Sequence, residues 1–187
     1  MPIGMVILGR QGSGKGTQAV RIAELFGVIH ISTGDMLRAA VADGTELGLK
    51  AKSIMDSGDL VPDSVINGIV KQRLLKEDVQ QGGFLLDGFP RTVGQAEALS
   101  SYVEDSLQLA LNLDVPIDEV MARMLARGRD DDTTEAITRR LELYETDTAP
   151  LLEWFGQRGI LKIVDGNGTE DEVFDRLVSV VDQIVRK

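Results

Sequence analysis

Short apolar runs rich in Val, Ile and Leu alternate along the chain with stretches whose apolar residues recur at helical spacing. That rhythm is expected of strands in a parallel sheet buried under helices on both faces. Five strands are predicted, at Met5–Leu8, Val28–Ile31, Phe84–Leu86, Leu109–Leu113 and Leu161–Val164. A helix over Lys15–Phe26 stops at Gly27, and Thr169 with Glu172 forms a capping box that opens the last helix. The class that follows is α/β, with a five-stranded parallel sheet flanked by helices.

Two stretches break the rhythm. About fifty residues separate the second and third strands, more than one crossover helix needs, with helical pieces punctuated by Gly44, Gly58 and Pro62. An inserted segment is predicted there. The other break is RGRDDDTT, Arg127 to Thr134, too charged for a core and predicted to be a short exposed loop between helices. No repeat, low-complexity tract or Pro-rich linker marks a second independent domain, so residues 1–187 read as a single unit.

Composition narrows the partners. A formal charge of −10 opposes attraction to nucleic acid and anionic lipid, and makes any local cluster of arginines informative. No apolar run is long enough for a membrane span, and MPIGMVILGRQ has neither the charged start nor the long apolar stretch of a secretory signal. A soluble, cytoplasmic protein is expected. With no cysteine in the chain, disulfides and thiolate zinc sites are excluded.

Directly after the first predicted strand comes GRQGSGKGT, Gly9 to Thr17, matching G-x-x-x-x-G-K in the strand–loop–helix setting that a phosphate loop requires. Glycines at Gly12, Gly14 and Gly16 let successive N–H groups, with that of Ser13, turn inward toward phosphate oxygens at a helix N-terminus. Lys15 adds a point charge for the β- and γ-phosphates of ATP. The residue after it is Gly16, where many such loops carry a hydroxyl for Mg²⁺, and Thr17 comes one place later. No side chain is therefore assigned as a direct metal ligand, although Mg²⁺ is expected to arrive with ATP.

LLDGFPRT at the end of the third strand places Asp87 and Arg91 at the carboxyl edge of the sheet, where open α/β sheets bind ligands. A carboxylate there can order water around Mg²⁺, and a guanidinium can grip a phosphate with paired donors. A second basic group, Arg123, Arg127, Arg129 and Arg140, spans a predicted helix, the short loop and the next helix. Its bland reading is a set of solvated partners for Asp130, Asp131 and Asp132.

Together GRQGSGKGTQ, STGDMLR, GDLVPD, DGFPRT with Gln95, GRDDD and YETDTAPL resemble the adenylate kinase family in its short-lid form, in order and over nearly the whole chain. The resemblance implies a P-loop fold with a small helical AMP-binding insert at residues 32–61 and a short lid at about 127–138. It implies reversible transfer of a phosphoryl group from ATP to AMP, giving two ADP, in a monomer. By resemblance, Thr33 and the backbone of Asp59, Leu60 and Val61 contact the adenosine of AMP. Gln95 reads its adenine edge, Arg38 and Arg91 hold its phosphate, and Gly88, Phe89 and Pro90 shape the pocket. Thr33 is also expected to cap a helix. Arg127 is implied for ATP, Arg129 and Arg140 for the AMP phosphate, Arg123 near the ATP phosphates, and Gly168 for a backbone contact to the ATP adenine.

The chain departs from the family pattern at Gln11, where proline is usual. It lacks the length and the cysteines of the long zinc-binding lid, so no structural zinc is implied. His30, the only histidine, is read as a packed or partly exposed strand residue. Two other functions fit parts of the pattern: a UMP or CMP kinase on the same architecture, and a nucleotide-binding regulatory module with little turnover. Thr33 and Gln95 favour AMP over the first, and the complete acceptor site argues against the second.

Overall fold

A computed structural model describes residues 3–103, 106–129 and 132–185. Five strands, β1 (Gly4–Leu8), β2 (Ile29–Ser32), β3 (Phe84–Asp87), β4 (Leu107–Asp114) and β5 (Leu161–Asp165), form one parallel sheet in the order β2-β3-β1-β4-β5. The side chains of β1 show why the runs read as continuously apolar. Val6 and Leu8 enter one core with Ile31, Leu86 and Ala110, while Met5 and Ile7 enter the other with Leu85, Leu109 and Leu111. Both faces are buried, and each Leu or Ile so buried contributes about 1.5–3 kcal/mol.

Helices α1 (Lys15–Phe26) and α10 (Glu170–Val185) cover the second face. The first is covered by α4 (Asp63–Leu74), α6 (Val93–Val103) and α9 (Pro150–Gln157), with α5 (Glu77–Gly82) adding Val79. Each predicted strand is found, with several ends shifted by one or two residues. Val28 is not in β2 because its N–H closes α1 by donating to Ala23 O at 3.0 Å, after Gly27 turns left-handed. β4 starts two residues early because Leu107 pairs with Gly4 across an irregularity in register. The capping box forms as predicted: Thr169 N–H donates to Glu172 Oε2 at 2.8 Å, and Glu172 N–H to Thr169 Oγ1 at 3.3 Å.

The long stretch between β2 and β3 divides in two. α2 (Thr33–Ala42) and α3 (Glu46–Ser57) pack together so closely that a Cβ on Gly48 would lie 2.0 Å from Ala40 O. α4 and α5 contribute Ile66, Val70, Leu74 and Val79 to the core under the sheet, which Leu37 of α2 and Ala51 of α3 join. α7 (Ile117–Arg127) and α8 (Thr134–Leu143) follow β4, and residues 128–133 join them. Asp130 and Asp131 of that connection lie outside the described residues. A π-helical turn, Tyr144–Thr148, leads from α8 into α9.

The predicted cap at Thr33 is corrected: the residue before it, Ser32, caps α2 by accepting from Asp35 N–H at 3.2 Å. Thr33 is already helical and its hydroxyl donates to Asp87 O at 3.3 Å. Among the described residues no helix is long and apolar enough to cross a membrane.

Candidate active site

The chain moves to opposite sides of β1 through β3 and β4, and the crevice this leaves at the carboxyl ends of the strands is where ligands bind in open α/β sheets. A cavity of about 410 Å³ lies there. The loop from β1 to α1 forms its floor. Gly9, Gly12 and Gly14 have φ of 137°, 87° and 96°, which L side chains avoid, and a Cβ on Gly12 would lie 2.7 Å from Val120 O. Gly14 caps α1 without a side chain, so the free N–H groups of the first turn are left for a ligand. The Ser13 hydroxyl is buried beneath this loop without a hydrogen-bond partner.

Lys15 lies across the loop and donates to Gly9 O at 2.7 Å and Arg10 O at 2.8 Å. Burial pulls its pKa down to about 8; the positive charges of Arg91 and Arg127 act the same way and Asp87 opposes them. An anionic ligand would relieve that strain on the charge. Arg10, which the sequence did not single out, ties the loop to the Tyr144–Thr148 turn. Its guanidinium donates to Glu145 Oε1 at 2.7 and 3.0 Å and lies 5.2 Å from the Tyr144 ring centre.

Asp87 faces this floor from β3: its Oδ2 stands 3.5 Å from where a Cβ on Gly16 would be, and 4.0 Å from His30 Nε2. The imidazole is partly exposed, as predicted, yet it also lines the cavity, and Nε2 is buried with no hydrogen-bond partner. Arg91 is oriented by its own turn, with Nε donating to Gly88 O at 2.9 Å. Burial lowers its pKa, Arg140 and Arg38 add to that, and Asp87 opposes it. The rim therefore gathers like charges that an incoming phosphate would satisfy.

The basic residues do converge. Arg38, Arg91, Arg123, Arg127, Arg129 and Arg140 all line the large cavity, opposite or beside Lys15. Nearby carboxylates hold several of them. Arg38 pairs with Asp35 and Arg123 with Glu119, one turn away on the same helix. Asp132 accepts from Arg127 NH2 at 2.7 Å and Arg140 NH1 at 3.1 Å, and its side chain is buried. Burial raises the pKa of that carboxyl, but the hydrogen bonds and charge of Arg127, aided by Arg140, hold it below the ordinary carboxylate value.

A smaller cavity opens beside the first, between α2–α3 and the β3–α6 turn, lined by Thr33, Asp59, Leu60, Val61 and Gln95. Arg38, Gly88, Arg91 and Arg140 border both cavities. Leu60 and Pro90 also border the large one, with Gly12, Gly14, Gly16 and Thr17. Three residues singled out from the sequence lie elsewhere. Ser13 is beneath the loop, the Phe89 side chain is core at 1% exposure, and Gly168 lies in the β5–α10 turn outside both cavities. Asp63, part of the GDLVPD segment but not singled out, accepts from Gln95 Nε2 at 2.7 Å. Its signal was present: an acidic residue at the start of a helix, beside a segment already linked to the site.

A crevice built from free N–H groups, a buried ammonium and guanidiniums on two sides suits polyphosphate held end to end, and this fold with this loop defines a P-loop phosphotransferase. Comparison with known proteins makes the assignment finer. The family profile described as Adenylate kinase matches residues 7–160. The chain is 44% identical to an adenylate kinase of Thermodesulfovibrio yellowstonii, with 96% of this chain and 99% of the relative covered. It is 49% identical to one of Mycobacteroides abscessus, covering 92% and 95%, and 46% identical to adenylate kinase 1 of a Synechocystis species, covering 97% and 98%. The chain belongs to the adenylate kinase family.

Proposed function

We propose that this enzyme transfers a phosphoryl group between ATP and AMP across the large cavity, with ATP phosphates on the loop of Gly12–Thr17 and the AMP phosphate on Arg38 and Arg91. The observation that carries this reading is the single crevice of about 410 Å³ bordered by both Lys15 and the arginine cluster. An oxygen of the AMP phosphate forms the new bond to the γ-phosphorus, and the bond to the β,γ-bridging oxygen breaks, leaving two ADP. The attacking oxygen is already anionic, so no general base is needed. Lys15, Arg123 and Arg127 stabilise charge on the donor side, and Arg91, Arg129 and Arg140 align the acceptor.

Thr33, Gln95 and the backbone of Asp59–Val61 form the base pocket, with residues 32–61 as the AMP insert and about 127–138 as a short lid that excludes water. Gly168 contacts the ATP adenine from the β5–α10 turn. Asp87 and the Thr17 hydroxyl are hard oxygen donors at the cavity, a set that fits a Mg²⁺ ion carried mainly by phosphate and water. Bound with ATP, Mg²⁺ would neutralise phosphate charge, with Asp87 ordering its water. Among the described residues no cluster of three or more His, Asp or Glu could hold a metal by itself. We place the protein in the cytoplasm as a monomer.

Product analysis with ATP and AMP, UMP, CMP or GMP tests the reading. ADP from AMP is expected at a specificity constant at least about tenfold above that for UMP, some 1.4 kcal/mol. Equal use of UMP would move the chain to the pyrimidine kinases, and nucleotide binding without turnover would make it a regulatory module.

A further inference from the structure

The Gln95 side chain is 2% exposed, and both ends of its amide are already engaged. Its Oε1 accepts from Arg91 N–H at 2.7 Å, and its Nε2 donates to Asp63 Oδ1 at 2.7 Å. Asp63 is held in turn: Oδ2 accepts from the Thr92 hydroxyl at 3.2 Å, whose oxygen accepts from Gln95 N–H at 3.1 Å. A backbone N–H can only donate and a carboxylate can only accept. The two partners therefore agree on one orientation of the amide, and turning it over would set NH₂ against N–H and oxygen against carboxylate. Each amide atom keeps a further hydrogen-bonding capacity, one lone pair on Oε1 and one N–H on Nε2, and Gln95 lines the smaller cavity.

We propose that Asp63 is a specificity-determining positioning residue: by fixing the polarity of the Gln95 amide, it makes the pocket accept a 6-aminopurine and reject a 6-oxopurine. A 6-aminopurine offers an amino donor next to a bare ring nitrogen, matching an amide whose oxygen and N–H are fixed. A 6-oxopurine offers the reverse pair, an oxygen acceptor next to N1–H, and only a turned amide would match it. The price of turning is set by Asp63 and the Arg91 N–H. Left to itself, a glutamine would serve either base.

This rests on the smaller cavity being the base site of AMP, and the test separates the two claims. The ratio of kcat/KM for AMP to that for IMP, which differ only in this donor–acceptor pair, is measured for the native enzyme, Asp63→Asn, Asp63→Glu and Gln95→Ala. Asparagine can present either polarity to Gln95, so the ratio is expected to fall by about tenfold, mostly through better use of IMP. Glutamate, again acceptor-only, should keep the ratio within about threefold of native. A merely structural Asp63 would lower both constants together and leave the ratio unchanged, which would overturn the proposal. Asp63→Ala, which frees the amide without adding a donor, gives the same readout should Asp63→Asn fold poorly. If Gln95→Ala leaves the ratio unchanged, the base site itself is misplaced. If it collapses the ratio while Asp63→Asn and Asp63→Ala do not, the site stands and the role of Asp63 falls.

Discussion

The two sides of the cavity are built from different material. On the proposed donor side the polar groups are backbone N–H groups of a loop pinned by β4 and α7, so close that a Cβ on Gly9 would lie 2.5 Å from Leu113 O. On the proposed acceptor side they are guanidiniums at the ends of long side chains, Arg38 on α2, Arg91 in the β3–α6 turn and Arg140 on α8, two of them already held by Asp35 or Asp132. The first comes ready-made from the fold. The second must exchange carboxylate partners for phosphate, which makes it the part whose geometry a ligand can change.

The largest expected effect is at the pre-built side. Lys15→Met should lower kcat/KM by about 10²–10³-fold, as removal of one preorganised charge stabiliser does. The same change should raise the Tm of the ligand-free protein near pH 7 by about 2–4 °C, the equivalent of one kcal/mol at this length. The sign follows from the depressed pKa. Native Lys15 titrates near 8 and the unfolded residue near 10.5, so between these values the unfolded state holds the extra proton and native stability rises with pH. The advantage of the Met variant should shrink over that interval, as melting curves at pH 7 to 10 would reveal.

Next comes Arg91→Ala at the assembled side, expected to cost about 10²-fold in kcat/KM, shared between AMP affinity and turnover, since the guanidinium both attracts and aligns the phosphate. Arg91→Lys should recover only part, because a point charge lacks the planar fork. Steady-state kinetics with both constants within twofold of native would remove Arg91 from the acceptor site.

The smallest effect belongs to the seam between α3 and α8. Arg139 Nε donates to Asp59 Oδ1 at 2.8 Å outside the large cavity, while Arg140 NH2 donates to Met55 O at 3.1 Å within the same seam. The Arg139 pair is exposed, so Arg139→Gln should raise the KM for AMP by only about two- to fivefold, leaving that for ATP unchanged. High salt should mimic the substitution.

The same division explains what could be read in advance. All five strands were legible because burial on both faces leaves unbroken apolar runs, and the phosphate loop because its glycines are demanded by backbone conformation. Strand ends were less so: Val28 looks like the start of a strand, but its N–H is spent on closing α1. The helix cap went to Ser32 instead of Thr33, since adjacent hydroxyls are equivalent in sequence and only the chain's path past Asp87 separates them. The roles of Asp63, Arg10 and Asp132 are set by partners far along the chain or by which carboxylate reaches which arginine. Spacing does not encode that.

The central claim is that both nucleotide sites adjoin one phosphate track closed by a common arginine cluster. Calorimetric melting with one molecule carrying two adenosines joined by five phosphates tests it most directly. At a hundred times its Kd such a ligand adds about 2.7 kcal/mol, which at this length is a rise in Tm of about 5–11 °C. ATP at the same micromolar concentration should give a smaller rise, because alone it cannot draw Arg38 and Arg91 onto a phosphate. Stabilisation by the two-headed ligand no greater than by ATP would contradict the shared track, even with the phosphate loop intact.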